Sequence, residues 1–200
     1  MYEYRYYPGA TAIGIVARSG VVLAADKRVT YGFTLMSKTG KKVFKITDRI
    51  GIASAGLISD MQTLARSLEA EARLYFYDTG NPITVKGIAK LLSITLFNRR
   101  LFPYFVETIV GGVDSTGPHI YVLDPIGALI EDKYAALGTG AQLAISIIES
   151  EYNENIDLMQ ARDLSIKAIK AAFSRDTVSG DGIDLILIGK DLIKEEFIPV

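Results

Sequence analysis

The sequence predicts an α+β fold: a four-layer αββα sandwich in which two antiparallel sheets pack face to face and a helix pair covers each outer side. Two observations predict it. Apolar strand-like runs and stretches of helical spacing come in separate blocks, in the order strands, two helices, strands, two helices, strand, instead of alternating. The chain is also 200 residues long and 49% hydrophobic, enough for one domain with a full core. Stacking two sheets between two helix pairs buries every apolar stripe at once.

The elements follow in order. Residues 10–17 and 21–28 are apolar runs joined by Arg18-Ser19-Gly20, a hairpin signal. Further strands are expected at about 33–37, 42–46 and 50–55. Leu57, Met61, Leu64, Leu68, Ala72 and Tyr75 then recur at helical spacing, with Ser59 and Gln62 placed to form a capping box at the helix start. A second helix is expected from Thr84 to Phe102, stopped by Pro103. Strands return at about 106–114, 118–123, 127–131 and 134–138, separated by the turn sequences Asp114-Ser115-Thr116-Gly117 and Asp124-Pro125-Ile126-Gly127. Helices at about 141–152 and 158–174 follow, the second with Asp157 as N-cap. A strand at about 183–188 and a short terminal segment finish the chain.

Composition narrows function. A net charge of −1 offers no electrostatic attraction to nucleic acid or a membrane surface. With no cysteine, disulfides, thiol catalysis and cysteine metal sites are excluded, and one histidine rules out a multi-histidine metal site. No cofactor or metal is expected. No apolar stretch is long enough to span a bilayer, and residues 1–9 hold four tyrosines but no signal-like apolar region, so a cytoplasmic protein is expected.

The segment Gly9-Ala10-Thr11-Ala12-Ile13-Gly14 reads as a tight turn entering a strand. Downstream lie residues suited to activating a hydroxyl there. A threonine hydroxyl is a weak nucleophile and needs a base, which the residue's own α-amino group supplies when the threonine is N-terminal. A nearby lysine favours the neutral amine, and an aspartate keeps that lysine charged and oriented. Asp26 and Lys42 fit those roles, although charge counting alone favours an ordinary surface ion pair. Asp176 and Ser179 sit in a glycine-rich turn where they are suited to bonding a terminal amine; Gly180 and Gly182 equally explain that turn as plain turn chemistry.

The ordered set of motifs is more specific than any one of them. It comprises Gly20-Val21-Val22-Leu23-Ala24-Ala25-Asp26-Lys27-Arg28, Lys41-Lys42, Ala53-Ser54-Ala55-Gly56, Gly111-Gly112-Val113-Asp114, Asp124-Pro125-Ile126-Gly127, Gly138-Thr139-Gly140 and residues 175–184. In this set, which covers essentially all of residues 9–190, the chain resembles archaeal-type proteasome β subunits of the N-terminal nucleophile hydrolase fold. The resemblance implies a leader at residues 1–9 and one β-type domain at 10–200. It implies a threonine endopeptidase, with Asp26 and Lys42 as the catalytic aspartate and lysine. Thr139 takes the place of an auxiliary serine, Asp176 and Ser179 stand around the terminal amine, and the Gly56 N–H is the oxyanion donor. It further implies that Val29, Gly40, Ser54 and Ile58 line the specificity pocket and that Thr30 pairs with substrate backbone. Heptameric β rings stacked between α rings, unfolded protein substrates and a regulatory ATPase acting through the α ring complete the implied setting.

At one position the pattern breaks. Counting back from Gly14, the family's nucleophilic threonine falls on Ala10, which has no hydroxyl. Thr11 is the adjacent substitute, but neighbouring strand residues face opposite sides, so Thr11 needs a one-residue slip or a bulge to face Lys42, and cleavage after Ala10. The expectation is therefore a structural β subunit paired with an active one; an active enzyme using Thr11 and a simpler HslV-type peptidase subunit are the alternatives. Ala10 fits either a naturally inactive subunit or a replacement that disables processing, and Ala12, where the family often has threonine, favours the former.

Overall fold

The computed structural model describes residues 9–32 and 34–200. The tyrosines at 2, 4, 6 and 7 and most of the expected leader therefore lie outside the described residues. The first hairpin forms as expected from β1 (Thr11–Ala17) and β2 (Gly20–Asp26). The expected run to residue 28 divides at Asp26, and β3 (Val29–Tyr31) pairs with β4 (Thr34–Ser37) in a separate two-stranded sheet. The strands β5 (Val43–Lys45) and β6 (Ile50–Gly56) lead to the first helix pair, α1 (Ile58–Thr79) and α2 (Val85–Asn98). Then come β7 (Val106–Asp114), β8 (Gly117–Leu123), β9 (Leu129–Asp132) and β10 (Tyr134–Gly138). The second helix pair, α3 (Ala141–Glu151) and α4 (Leu158–Phe173), precedes β11 (Ile183–Gly189) and β12 (Leu192–Ile198).

Two five-stranded antiparallel sheets form the middle layers, in the orders β10-β1-β2-β11-β12 and β5-β6-β7-β8-β9. Strand alternation divides their side chains among three apolar layers. Leu23, Ile109, Ile120 and Ile186 fill the space between the sheets. Ile13, Ile15, Val22 and Leu185 face the other way, against Ile148 and Leu164 of α3 and α4. Ile52 and Val110 meet Leu64, Leu68, Ile88 and Leu92 of α1 and α2. Each such fully buried aliphatic side chain contributes roughly 1.5–3 kcal/mol. Gly14 and Gly111 let the sheets approach: a Cβ at Gly14 would lie 2.8 Å from Ile109, and one at Gly111 2.9 Å from Leu23.

Two helix boundaries depart from expectation. Ser59 and Gln62 form no capping box, because α1 begins at Ile58 and Ser59 falls inside its first turn; the N-cap, Leu57, makes no side-chain bond. The Asp60 carboxylate instead accepts from the Phe105 N–H at 2.9 Å, tying the helix start to the chain entering β7. The second helix stops at Asn98, four residues before Phe102, where three-residue turn bonds such as Phe102 N–H to Arg99 C=O replace the helical ladder. Asp157 caps α4 as expected, and Gln160 completes a capping box there. The terminal segment is a full edge strand paired along β11.

Candidate functional site

The site lies at the N-terminal end of β1. Ala10 is fully buried and packs in the layer between the sheets with Ala12, Ala25, Ala53 and Ala55. The register of β1 runs without a shift against both neighbours, Thr11 opposite Gly138 and Ala12 opposite Ala25. Alternation therefore sends Thr11 to the other face, beneath the start of α3. A Cβ at Gly140 would lie 2.1 Å from Thr11 Oγ1 and 2.8 Å from Ala172 of α4, so only glycine leaves room for that hydroxyl.

Asp26, the last residue of β2, is the hub. Its Oδ1 accepts from Lys42 Nζ at 2.7 Å and from the Thr11 N–H at 3.0 Å. Its Oδ2 accepts from the Arg28 N–H at 3.0 Å and the Gly180 N–H at 3.1 Å. The Lys42 ammonium also donates to the Arg28 carbonyl at 2.6 Å. Side-chain exposures of 1% for Lys42 and 0% for Asp26 replace the surface ion pair that charge counting favours with a buried one. Burial pushes Lys42 below the ordinary lysine value, with the Asp26 charge opposing it. Burial likewise pushes Asp26 up, opposed by Lys42 and by the backbone donors.

A second hydrogen-bonded group adjoins the hub. Asp176 Oδ2 accepts from the Ser179 hydroxyl and from the Thr139 hydroxyl, each at 2.6 Å. Because Ser179 spends its proton on Asp176, its 2.8 Å contact with Thr11 Oγ1 is made as acceptor, with Thr11 donating. The Thr139 hydroxyl also lies 3.3 Å from the Ala10 carbonyl. Thus Asp26 and Lys42 share one cluster, and Thr11, Thr139, Asp176 and Ser179 share another, with the Thr11 main chain joining them.

The remaining expected residues gather nearby. A Cβ at Gly40 would lie 2.3 Å from Val29 and 3.7 Å from Ile58, which brings those three together. The Ser54 hydroxyl is buried and paired with Thr108 across β6 and β7 at 3.0 Å. Thr30 carries a buried hydroxyl with no partner among the described residues. Gly56 ends β6 at φ +134°, and a side chain there would strike the Phe105 carbonyl at 2.1 Å. A cleft of about 570 Å³ lies elsewhere, at the other end of β1, lined by Arg18, His119, Lys133 and Glu154 among others. His119 sits in β8 as a strand residue, its ring nitrogens 2.8 Å from the Thr116 hydroxyl and 2.7 Å from Glu131.

Sequence reasoning missed Arg28 and Asp181. The Arg28 guanidinium joins Asp181 at 2.7 Å and the Thr177 carbonyl at 2.9 Å, clamping the 176–182 turn over Asp26. Asp181 holds φ +66° between two glycines, the available signal for a special role. The bond from Arg28 holds its carboxyl below the ordinary value of 3.8. The folded state thus binds fewer protons than the unfolded one as pH falls towards that value. The stabilisation is complete above about pH 4 and disappears as pH drops through the lower folded value. The melting temperature is accordingly expected to fall as pH drops below about 4, and Asp181→Asn to flatten that fall; an unchanged slope in the variant counts against this account.

Among the described residues no helix is long and apolar enough to cross a membrane, and no cluster of metal-ligating residues occurs. The family model described as "Proteasome subunit" matches residues 6–188. Proteasome subunit beta 2 of Pyrobaculum arsenaticum is 56% identical over 192 residues, 96% of this chain and 95% of that protein. Proteasome subunit beta 2 of Thermofilum pendens is 56% identical over 193 residues, 96% and 94% of the two chains. Proteasome subunit beta 1 of Ignicoccus hospitalis is 49% identical over 181 residues, 90% and 91% of the two chains. The matched length and these identities lead to one conclusion: the chain belongs to the proteasome subunit family, among the archaeal β subunits of the 20S particle.

Proposed function

We propose that this chain is a structural, non-catalytic β subunit that builds the chamber of the 20S core particle beside an active β type. The observation that carries the reading is the methyl group of Ala10 at the head of β1, with the neighbouring Thr11 hydroxyl bonded to Ser179 on the opposite face of the sheet. The unshifted register of β1 supports it, since Thr11 would have to leave its pairing with Gly138 to reach Lys42. The relatives' numbered names, beta 2 and beta 1, support a particle with more than one β chain. In this role the chain assembles with α and other β subunits in stacked heptameric rings in the cytoplasm. It contributes to ATP-dependent degradation of unfolded proteins through a regulatory ATPase on the α ring. Residues 1–9 are retained or removed by another enzyme, since Ala10 has no hydroxyl for self-cleavage.

Particles assembled with this chain as the sole β subunit provide the test. They are expected to hydrolyse no peptide substrate, and the Thr11→Ala variant to behave identically. N-terminal sequencing of the assembled particle is expected to find no chain starting at Thr11. Turnover that vanishes in Thr11→Ala, with a mature N-terminus at Thr11, would instead establish Thr11 as the nucleophile.

A further inference from the structure

Asp181-Gly182 is the one place in the sequence where glycine follows an aspartate or asparagine. Such a pair is chemically vulnerable, because glycine has no Cβ to shield its amide nitrogen from the side-chain carboxyl that precedes it. The fold leaves no room to replace the glycine. Gly182 holds φ +127°, and a Cβ there would lie 2.6 Å from the Phe197 ring. Asp181 itself stands at φ +66°, in the left-handed region, at the entrance to β11.

Cations face both oxygens of its carboxylate. Oδ2 accepts from Arg28 Nε at 2.7 Å, and Oδ1 lies 4.0 Å from Lys38 Nζ. The Arg28 guanidinium is fixed in turn by its bond to the Thr177 carbonyl at 2.9 Å. Room for it exists because residue 180 is glycine: a Cβ there would lie 2.7 Å from Arg28 Nη2. An amide nitrogen attacks a carboxyl group only in its neutral form, since the departing oxygen must leave as water. Arg28, always charged, holds the Asp181 carboxyl below its ordinary value and so keeps it in the inert ionised form. The bond also stops the carboxyl from turning towards the following peptide.

We infer that Asp181-Gly182 is a modification site, an aspartate poised to isomerise to isoaspartate, and that the Arg28 clamp suppresses the reaction. In it the Gly182 amide nitrogen bonds to Asp181 Cγ, and the carboxyl hydroxyl leaves with the amide proton as water, closing a cyclic imide. Water then opens the ring. Cleavage between Cγ and the nitrogen restores aspartate; cleavage between the main-chain carbonyl carbon and the nitrogen leaves isoaspartate, with an extra methylene in the main chain. That methylene falls between the Gly180 N–H, bonded to Asp26 at 3.1 Å, and the start of β11. It therefore displaces either the turn from Asp26 or the strand from its register. The inference concerns the integrity of the chain and holds whatever its catalytic state.

Full-length chains, folded as judged by circular dichroism, are incubated together at one temperature below their melting points. Isoaspartate is measured by methyl transfer from labelled S-adenosylmethionine with an isoaspartyl methyltransferase, and located by peptide mass spectrometry. The unsubstituted chain is expected to accumulate it slowly. Arg28→Met keeps the aliphatic stem but removes both guanidinium bonds. It is expected to accumulate isoaspartate at position 181 about tenfold faster or more, the fold-change that losing one charge-assisted hydrogen bond allows. Arg28→Met with Asp181→Glu is expected to lose the signal, because the longer side chain closes the imide poorly. Lys27→Met breaks the neighbouring ion pair with Asp184 at 2.6 Å while leaving Asp181 clamped, and is expected to match the unsubstituted chain. Should Arg28→Met not fold, Arg28→Lys, which keeps the charge but not the fork, carries the same comparison. Equal rates in the unsubstituted chain and the Arg28 variant would overturn the inference. So would a Lys27→Met rate equal to that of the Arg28 variant, since general loosening and not the clamp would then govern the site.

Discussion

Replacing Ala10 with threonine is expected to produce an active, self-processing subunit. The residue sits between the sheets, where the hydroxyl added to its β-carbon would enter the space shared by Ala12, Ala25 and Ala55. Lys42, held on Asp26 at 2.7 Å and pushed below its ordinary value by burial, is poised to assist a proton transfer there. Thr139 already lies 3.3 Å from the Ala10 carbonyl and is joined through Asp176 to Ser179. The added hydroxyl would attack the Gly9 carbonyl, the Gly9–residue 10 peptide bond would rearrange to an ester, and water would release a free N-terminal threonine. Peptide hydrolysis by the Ala10→Thr particle is expected to exceed that of the parent by about 1,000-fold or more, because loss of a covalent nucleophile is among the costliest single changes an enzyme can suffer. The check is N-terminal sequencing together with a fluorogenic peptide assay. A variant whose chain still begins upstream of residue 10 and shows no turnover would mean that the surrounding groups are no longer arranged for the reaction.

Lys42→Met is expected to be the most damaging single change to stability. It leaves the Asp26 carboxylate fully buried, with three backbone donors and no cation. Breaking one side of a buried ion pair costs about 3–5 kcal/mol, which for a chain of this size lowers the melting temperature by roughly 6–20 °C. Adding Asp26→Asn should return much of the loss, because the uncompensated charge is then gone. Thermal melts of the two variants decide the matter: equal melting temperatures would show that the pair's charge is not what the fold depends on.

Much of the architecture was legible because the hydrophobic period changes cleanly. The segment 106–114 reads as a strand from its β-branched and apolar content, and β7 forms over those very residues. Boundaries set by bonds from distant segments were less visible. Nothing local to Ile58 reveals that Asp60 is engaged by Phe105, so Ser59 looked like the cap. Nor does Leu192–Ile198 advertise a strand: Lys194, Glu195 and Glu196 interrupt its apolar residues, as suits an exposed edge. Within the site, residue types pointed to Asp26, Lys42, Asp176 and Ser179, but depth was hidden. A lysine next to Lys41 looks solvated, and only the fold shows that Lys41 reaches outward to Glu195 while Lys42 turns inward. Arg28 escaped notice because its partner Asp181 is 153 residues away.

The four bonds to Asp26 have one more consequence. They come from β1, from the residue two places after Asp26, from the residue before β5 and from the turn before β11, so a single carboxylate knits together four stretches of chain at one end of the sandwich. Two of those donors, the Thr11 and Gly180 amides, would be present whatever side chain stood at position 10. Asp26 and Lys42 therefore keep a structural task with alanine at position 10. A residue signature built on this pair would thus not separate this chain from one that carries a hydroxyl at position 10, since here the pair closes one end of the sandwich.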